Sequence, residues 1–231
     1  AKQKCPELIV AEPHYDEYVR ISDEARTIYG QFTDWIEPLG LDECWLDVTR
    51  SRRIFGTGRT IAHSIRRTIR QELGVTVSVG VSFNKVFAKL GSDMRKPDAV
   101  TVIPPESFRE VVWGLPVSDL LGVGRATAKK LYPLGIHTIG DLARYPYTCL
   151  ESKLGKCGGD LWRFANGLDN SRVVTRSMSD LDKTAGHGIT TLRDLTSPEE
   201  VWPVMLELSQ NVGHRLHLFN RRATRVAISV R

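Results

Sequence analysis

From Tyr15 onward apolar side chains recur at steps of three and four, through Tyr18, Val19, Ala25, Ile28, Tyr29 and Phe32, with Ser22 on the same face. That spacing predicts an amphipathic helix after Pro13, packed on a sheet, and a short strand over 7–11 precedes it. Two apolar runs, 36–41 and 43–48, lie close enough in sequence to pair as a hairpin. A helix over about 58–73 closes at Gly74. The stretch VTVSVGVS at 75–82 is β-branched and alternating, so it reads as a strand. A helix of about 83–95 stopped by Pro97, a strand over 99–103 and a helix over about 105–113 complete an α+β domain.

After residue 115 the pattern changes to short helices punctuated by glycine, LLGVGRATAKKLYPLGIHTIGDLARYP, which predicts a small all-helical domain. Residues 168–183 are polar and aperiodic, with Arg172, Arg176 and Lys183, and read as a linker. A strand of about 185–192, a helix of about 198–217 and a strand of about 223–231 then make half of another α/β unit. No internal repeat interrupts this order.

Composition narrows the class. With 231 residues, 41% hydrophobic and 26% charged, the chain is an ordinary globular sequence rather than a disordered one. It has no apolar run of about eighteen residues, and its opening AKQKCPELIV is too short an apolar stretch for a signal peptide, so a cytoplasmic protein without a membrane partner is expected. The four cysteines, 5, 44, 149 and 157, form no C-x-x-C pair and have no histidine at zinc spacing, so they are expected as free, buried thiols. The net charge of +5 is modest but unevenly spread. Residues 50–71 hold seven arginines and no acid, and residues 211–231 hold five arginines, two histidines and no acid. Such faces suit a polyanion, and solvated helix surfaces are the competing reading.

Three constellations carry candidate chemistry. In GLDECWLDV, Asp42 and Glu43 stand at the start of an otherwise apolar strand with Asp47 further on. Adjacent carboxylates on a sheet rim suit hydrated Mg²⁺, which keeps waters and takes phosphate oxygens as further ligands. Strict alternation would put Asp42 and Glu43 on opposite faces, so both serve one site only near a turn, and Gly40 permits one. Plain hairpin-end acids are the alternative. In VGVSFNKVFAKLGSDMRKP, Lys85 and Lys89 share a helix face and Lys96 stands just beyond the helix, where an ammonium can reach a triphosphate; exposed lysines are the alternative. The third, LLGVGRATAKKL at 120–131, reads as a helix-hairpin-helix. Gly122 and Gly124 permit a tight hairpin whose N–H groups bind a phosphate without reading sequence, with Lys129 and Lys130 nearby. A glycine-capped helical hairpin with no ligand is its alternative.

Taken together and in this order, these residues resemble the Y-family of translesion DNA polymerases, most closely its DinB branch. D-E-C-W-L-D at 42–47 is similar to the family's catalytic S-x-D-E-A-Y-L-D motif, S-F-N-K-V-F-A-K at 82–89 and D-M-R-K-P at 93–97 to its next palm motif, and G-V-G at 122–124 to its thumb hairpin. The resemblance implies an α+β palm sheet with packed helices over 1–114 and a helix-hairpin-helix thumb over 115–167. The linker at 168–183 and the first half of an α/β little finger at 184–231 follow. It implies that Asp42 ligates metal, that Glu43 is the adjacent catalytic carboxylate on the same two Mg²⁺ ions, and that Lys96 contacts the incoming triphosphate. DNA contacts are implied for Gly122, Val123, Gly124, Arg125, Lys129, Lys130, Arg221 and Arg222.

The implied activity is error-prone, template-directed DNA synthesis by a monomer. Its partners are primer-template DNA, a deoxynucleoside triphosphate and a sliding clamp reached through a segment not in this sequence. One departure bears on that activity. The family's first motif, an aspartate-bearing strand D-x-D-x-F-[FY], is not found in the 41 residues before Asp42, and Asp16 and Glu17 cannot replace it because EPHYDEYVR reads as a helix start. The fingers, the second half of the little finger and a Q-x-x-L-F clamp motif are not found either. The expectation is a fragment cut at both ends that binds primer-template weakly and does not extend it. A non-catalytic DNA-binding or scaffold module is the alternative, and a repair nuclease or glycosylase using the same hairpin is a third reading.

Overall fold

A computed structural model of the chain describes residues 2–175 and 184–230. It divides into two compact units after Thr175. The first unit opens with helix α1 (Tyr15–Gly30), the hairpin β1 (Ile36–Pro38) and β2 (Cys44–Leu46), a short α2 (Arg52–Phe55) and α3 (Gly58–Leu73). Strand β3 (Val79–Ser82), α4 (Lys85–Met94), β4 (Val100–Ile103) and α5 (Phe108–Val112) follow. Strands β1 and β2 pair antiparallel with Glu37 opposite Trp45, and β3 and β4 pair parallel with Val79 opposite Val100. The helix boundaries follow local chemistry. Thr57 accepts the Thr60 N–H at the start of α3, Asn84 accepts the Phe87 N–H at the start of α4, and α3 ends on left-handed Gly74.

Helix α3 buries Ile61, Ile65 and Ile69 against Ile28 of α1, an apolar face worth about 1.5–3 kcal/mol for each fully buried isoleucine. Helix α4 lies so close on β3 that a Cβ added at Gly80 would sit 1.8 Å from the Ala88 carbonyl oxygen. Only glycine fits there.

Helices α6 (Arg125–Leu131), α7 (Ile139–Arg144), α8 (Tyr147–Leu154) and α9 (Lys156–Ala165) form the helical region. Their core is continuous with that of α4 and β4, since Phe87, Leu90 and Ile103 share one buried cluster with Val117, Leu131, Leu142, Leu150 and Leu161. Trp113 pins the junction: its indole N–H donates to the Ala165 carbonyl, and Arg109 and Arg144 lie over its ring at 5.2 and 5.4 Å.

In the second unit α10 (Pro198–Leu218) is capped by Ser197. Neither flank of it pairs as a strand among the described residues, so the strands expected at 185–192 and 223–231 do not form as ladders; Arg231 of the latter lies outside the described residues. The strand expected over 7–11 is also unpaired, with Ile9 and Val10 largely exposed. All three stretches have the right residues for a strand, but a strand needs a neighbour to take its N–H and C=O groups. The same limit shortens the hairpin and the 75–82 strand to their paired residues.

Of the predicted linker, 168–175 belongs to the first unit, while 176–183, including Arg176 and Lys183, lies outside the described residues. The cysteines are free as expected but not buried: Cys5, Cys149 and Cys157 are exposed and Cys44 is half-buried. Cys149 and Cys157 stand on solvent-facing positions of α8 and α9, Cys5 precedes the first helix, and Cys44 opens β2. No helix among the described residues is long and apolar enough to cross a membrane.

Candidate active site and nucleic-acid interface

The turn of the β1–β2 hairpin resolves the alternation problem at the carboxylates. Asp42 and Glu43 both precede β2, which starts at Cys44, and Gly40 takes the left-handed conformation that brings the chain round. The Leu39 N–H donates to the Glu43 carbonyl at 2.8 Å, and the Ser22 hydroxyl donates to the Leu41 carbonyl, tying the turn to α1. Asp42 is exposed and Glu43 half-buried. Asp47 does not join them; its carboxylate accepts the Thr49 N–H in the next turn.

Behind the hairpin, Lys85 makes a nearly enclosed pair with Glu37 at 2.7 Å and lies 4.4 Å from the centre of the Trp45 ring. The Trp45 indole N–H donates to the Lys85 carbonyl, and Glu37 also accepts the Val174 N–H at 2.8 Å. One ion pair thus ties both strands of the hairpin and the start of α4 to Val174 and the Arg172 carbonyl.

From Glu43 a chain of ion pairs runs along α4. Glu43 meets Lys89 at 2.9 Å, Lys89 meets Asp93 at 2.6 Å, and Asp93 meets Lys96 at 2.8 Å. Burial works against the charge on Lys89, but its hydrogen bonds to Asp93 and Glu43 outweigh this and raise its pKa. Burial likewise opposes the charge on Asp93, and the two lysines override it and lower its pKa. Spacing could have found Asp93, since it stands four residues after Lys89 and three before Lys96 on a helical stretch. Nothing in the sequence points to Glu37, whose contact with Lys85 spans 48 residues.

As donors, the carboxylate oxygens of Asp42 and Glu43 suit a hydrated divalent cation. Asp42 has no cationic partner among the described residues, whereas Glu43 is engaged by Lys89. No group of three or more His, Cys, Asp or Glu side chains able to hold a metal occurs among the described residues. Asp42 and Glu43 alone supply fewer carboxylates than a complete metal site would gather.

The glycine hairpin forms as expected. Gly122 has φ +91°, and a Cβ there would press on Leu161 at 3.3 Å. Val123 turns its side chain into the core and gives its N–H to the Leu120 carbonyl. The outward groups are Gly122, Gly124, Arg125, Lys129 and Lys130, all exposed, and no carboxylate pairs with the three cations among the described residues. Arg221 and Arg222 of the second unit are exposed too. The first arginine cluster is only partly available, because Arg66 and Arg70 are turned onto Asp98 and Arg50 lies over Trp35.

Residues 1–93 match the model of the impB/mucB/samB family, and residues 118–169 match the model of the thumb domain of DNA polymerase iota. Over all 231 residues the chain is 51% identical to DNA polymerase IV of Acetivibrio thermocellus and 38% identical to DNA polymerase IV of Moorella thermoacetica. The chain belongs to the Y-family of DNA polymerases, in its DinB branch. It spans 58% of the length of each of those two relatives. The Y-family fold is matched by a DinB-family error-prone DNA polymerase from Sulfolobus solfataricus, with a TM-score of 0.70 at 26% identity over 93% of this chain and 64% of that one. An insertion ternary complex of Dbh DNA polymerase matches equally well, at 0.70 and 26%, over 93% of this chain and 62% of that one. The two matches cover the carboxylate hairpin, α4 as far as Asp93 and the glycine hairpin, and leave Lys96 outside both.

Proposed function

We propose that this chain is the palm (1–114), thumb (115–167), linker (168–183) and first half of the little finger (184–231) of an error-prone, template-directed DNA polymerase. The reaction is addition of a deoxynucleotide to a primer 3′-hydroxyl. The observation that carries the reading is the ion-pair chain Glu43–Lys89–Asp93–Lys96, which joins the carboxylate turn to the lysine of the D-M-R-K-P motif in one charged track.

Two magnesium ions bound at this turn would lower the pKa of the primer hydroxyl and neutralise charge developing on the triphosphate. Asp42 offers an exposed carboxylate to such an ion. Glu43 becomes available when Lys89 falls back on Asp93, its second partner. Lys96, a flexible point charge, exchanges Asp93 for the triphosphate. The exposed backbone at Gly122, Gly124 and Arg125 grips the duplex phosphates; Val123 supports that hairpin from the core. Lys129, Lys130, Arg221 and Arg222 add charge that reads no bases. The partners are primer-template DNA and a deoxynucleoside triphosphate; the enzyme works as a cytoplasmic monomer and meets a sliding clamp through a segment outside these residues.

A second reading, a non-catalytic DNA-binding module, is favoured for these 231 residues on their own by one observation: no third ligand joins Asp42 and Glu43 among the described residues. Primer extension and gel-shift assays on the 231-residue chain test it. The chain is expected to bind duplex DNA weakly, with affinity falling steeply as salt rises, and to add no nucleotide. Clear extension would overturn the incomplete-site claim, and loss of DNA binding would count against both readings.

A further inference from the structure

Lys96 sits in the loop between α4 and β4, and its own side chain is 57% exposed with Asp93 as its partner. Two residues on, Asp98 has φ +55°, a left-handed conformation uncommon outside glycine. Helix α3 holds it there. Arg66 Nη1 donates to the Asp98 carbonyl oxygen and meets its carboxylate at 3.3 Å, and Arg70 Nη1 meets the same carboxylate oxygen at 3.0 Å. The Asp98 side chain is 19% exposed. The two arginines are four residues apart, so they share a helix face, while Ile61, Ile65 and Ile69 on another face anchor the helix in the core. A charge-assisted clamp on a rigid helix thus fixes the backbone of the loop that carries Lys96.

We infer that Asp98 and Arg66 are positioning residues for Lys96, setting where its ammonium meets the triphosphate. The inference rests on the reading of Lys96 given under Proposed function. An ammonium on a four-carbon stem reaches only as far as its Cα allows, so a shift of the loop backbone draws it away from the triphosphate. Lys96 engages the nucleotide already in the ground state, so its misplacement weakens binding and leaves turnover.

The test is steady-state nucleotide incorporation by the full-length polymerase carrying these residues. Asp98→Ala is expected to raise KM for the deoxynucleotide about tenfold with kcat within about twofold. Asp98→Asn, which tolerates the left-handed backbone and keeps an acceptor, is expected to restore most of that. Lys96→Ala is expected to raise KM as much or more, and Lys96→Ala combined with Asp98→Ala to raise it no further than Lys96→Ala alone. An unchanged KM in Asp98→Ala beside a raised KM in Lys96→Ala would overturn the inference. An unchanged KM in Lys96→Ala would refute the triphosphate reading itself, and the inference with it. Should Asp98→Ala fail to fold, Arg66→Gln gives the same readout: a raised KM with kcat unchanged supports the inference, and an unchanged KM in a folded variant overturns it.

Discussion

Lys85 and Glu37 keep only 14% and 15% of their side chains exposed, so neither charge can be left alone. Removing one partner of such a pair costs about 3–5 kcal/mol, because the other remains desolvated. Lys85→Met is expected to lower the unfolding free energy by about 3 kcal/mol in urea denaturation, and adding Glu37→Met to recover part of that. A loss under about 1 kcal/mol would mean that water reaches the pair, as it does for the exposed Arg20–Glu17 pair. At this scale legibility follows sequence distance. Asp42, Glu43 and Lys96 could be singled out as candidates because adjacent acids and a lysine before proline are local patterns. Asp93 was readable from helical spacing. Glu37 and Asp98 were not, since their partners are 48 and about 30 residues away and only the fold brings them together.

Among the elements, α7 shows how a cap stores pH dependence. Thr138 accepts the Asp141 N–H, and the Asp141 carboxylate accepts the N–H groups of Thr138 at 2.9 Å and His137 at 3.2 Å. The hydrogen bonds from Thr138, with lesser help from His137 and Arg144, hold the Asp141 pKa below its ordinary 3.8. A carboxylate whose pKa is depressed by folding adds stability above its unfolded value and gives it up as pH falls through the folded one. Asp141→Asn is therefore expected to lower the thermal midpoint at pH 7 and to converge with the unsubstituted chain well below pH 3.8. Parallel midpoints across that range would contradict the cap's role. Helices were legible because caps and periodicity are local: α3 and α4 start and stop within about two residues of their predicted ends. Expected strands formed only where a partner was available, in the hairpin at 36–46 and in the parallel pair of 79–82 with 100–103. The alternating stretch 223–231 shows strand propensity without pairing among the described residues.

For the whole molecule, charge sorts by what surrounds it. The arginine-rich stretch 50–71 looked like one polyanion face, yet Arg66 and Arg70 serve a loop, leaving Arg52, Arg53, Arg59 and Arg67 exposed. The cations beside the glycine hairpin and at Arg221 and Arg222 stay exposed, in keeping with contacts to a phosphate backbone. The α+β plan and the helical region after residue 115 were both legible, whereas the core that runs through both was not, because burial across 115 depends on tertiary packing. The central claim is that the Asp42–Glu43 turn is a nucleotidyl-transfer site. Single-nucleotide primer extension by the full-length polymerase carrying these residues, comparing Glu43→Gln with the unsubstituted enzyme at matched DNA occupancy, tests it most directly. Extension is expected to be abolished while primer-template affinity changes less than about twofold, since the turn adds little to phosphate contacts made elsewhere. Extension at the unsubstituted rate would contradict that claim.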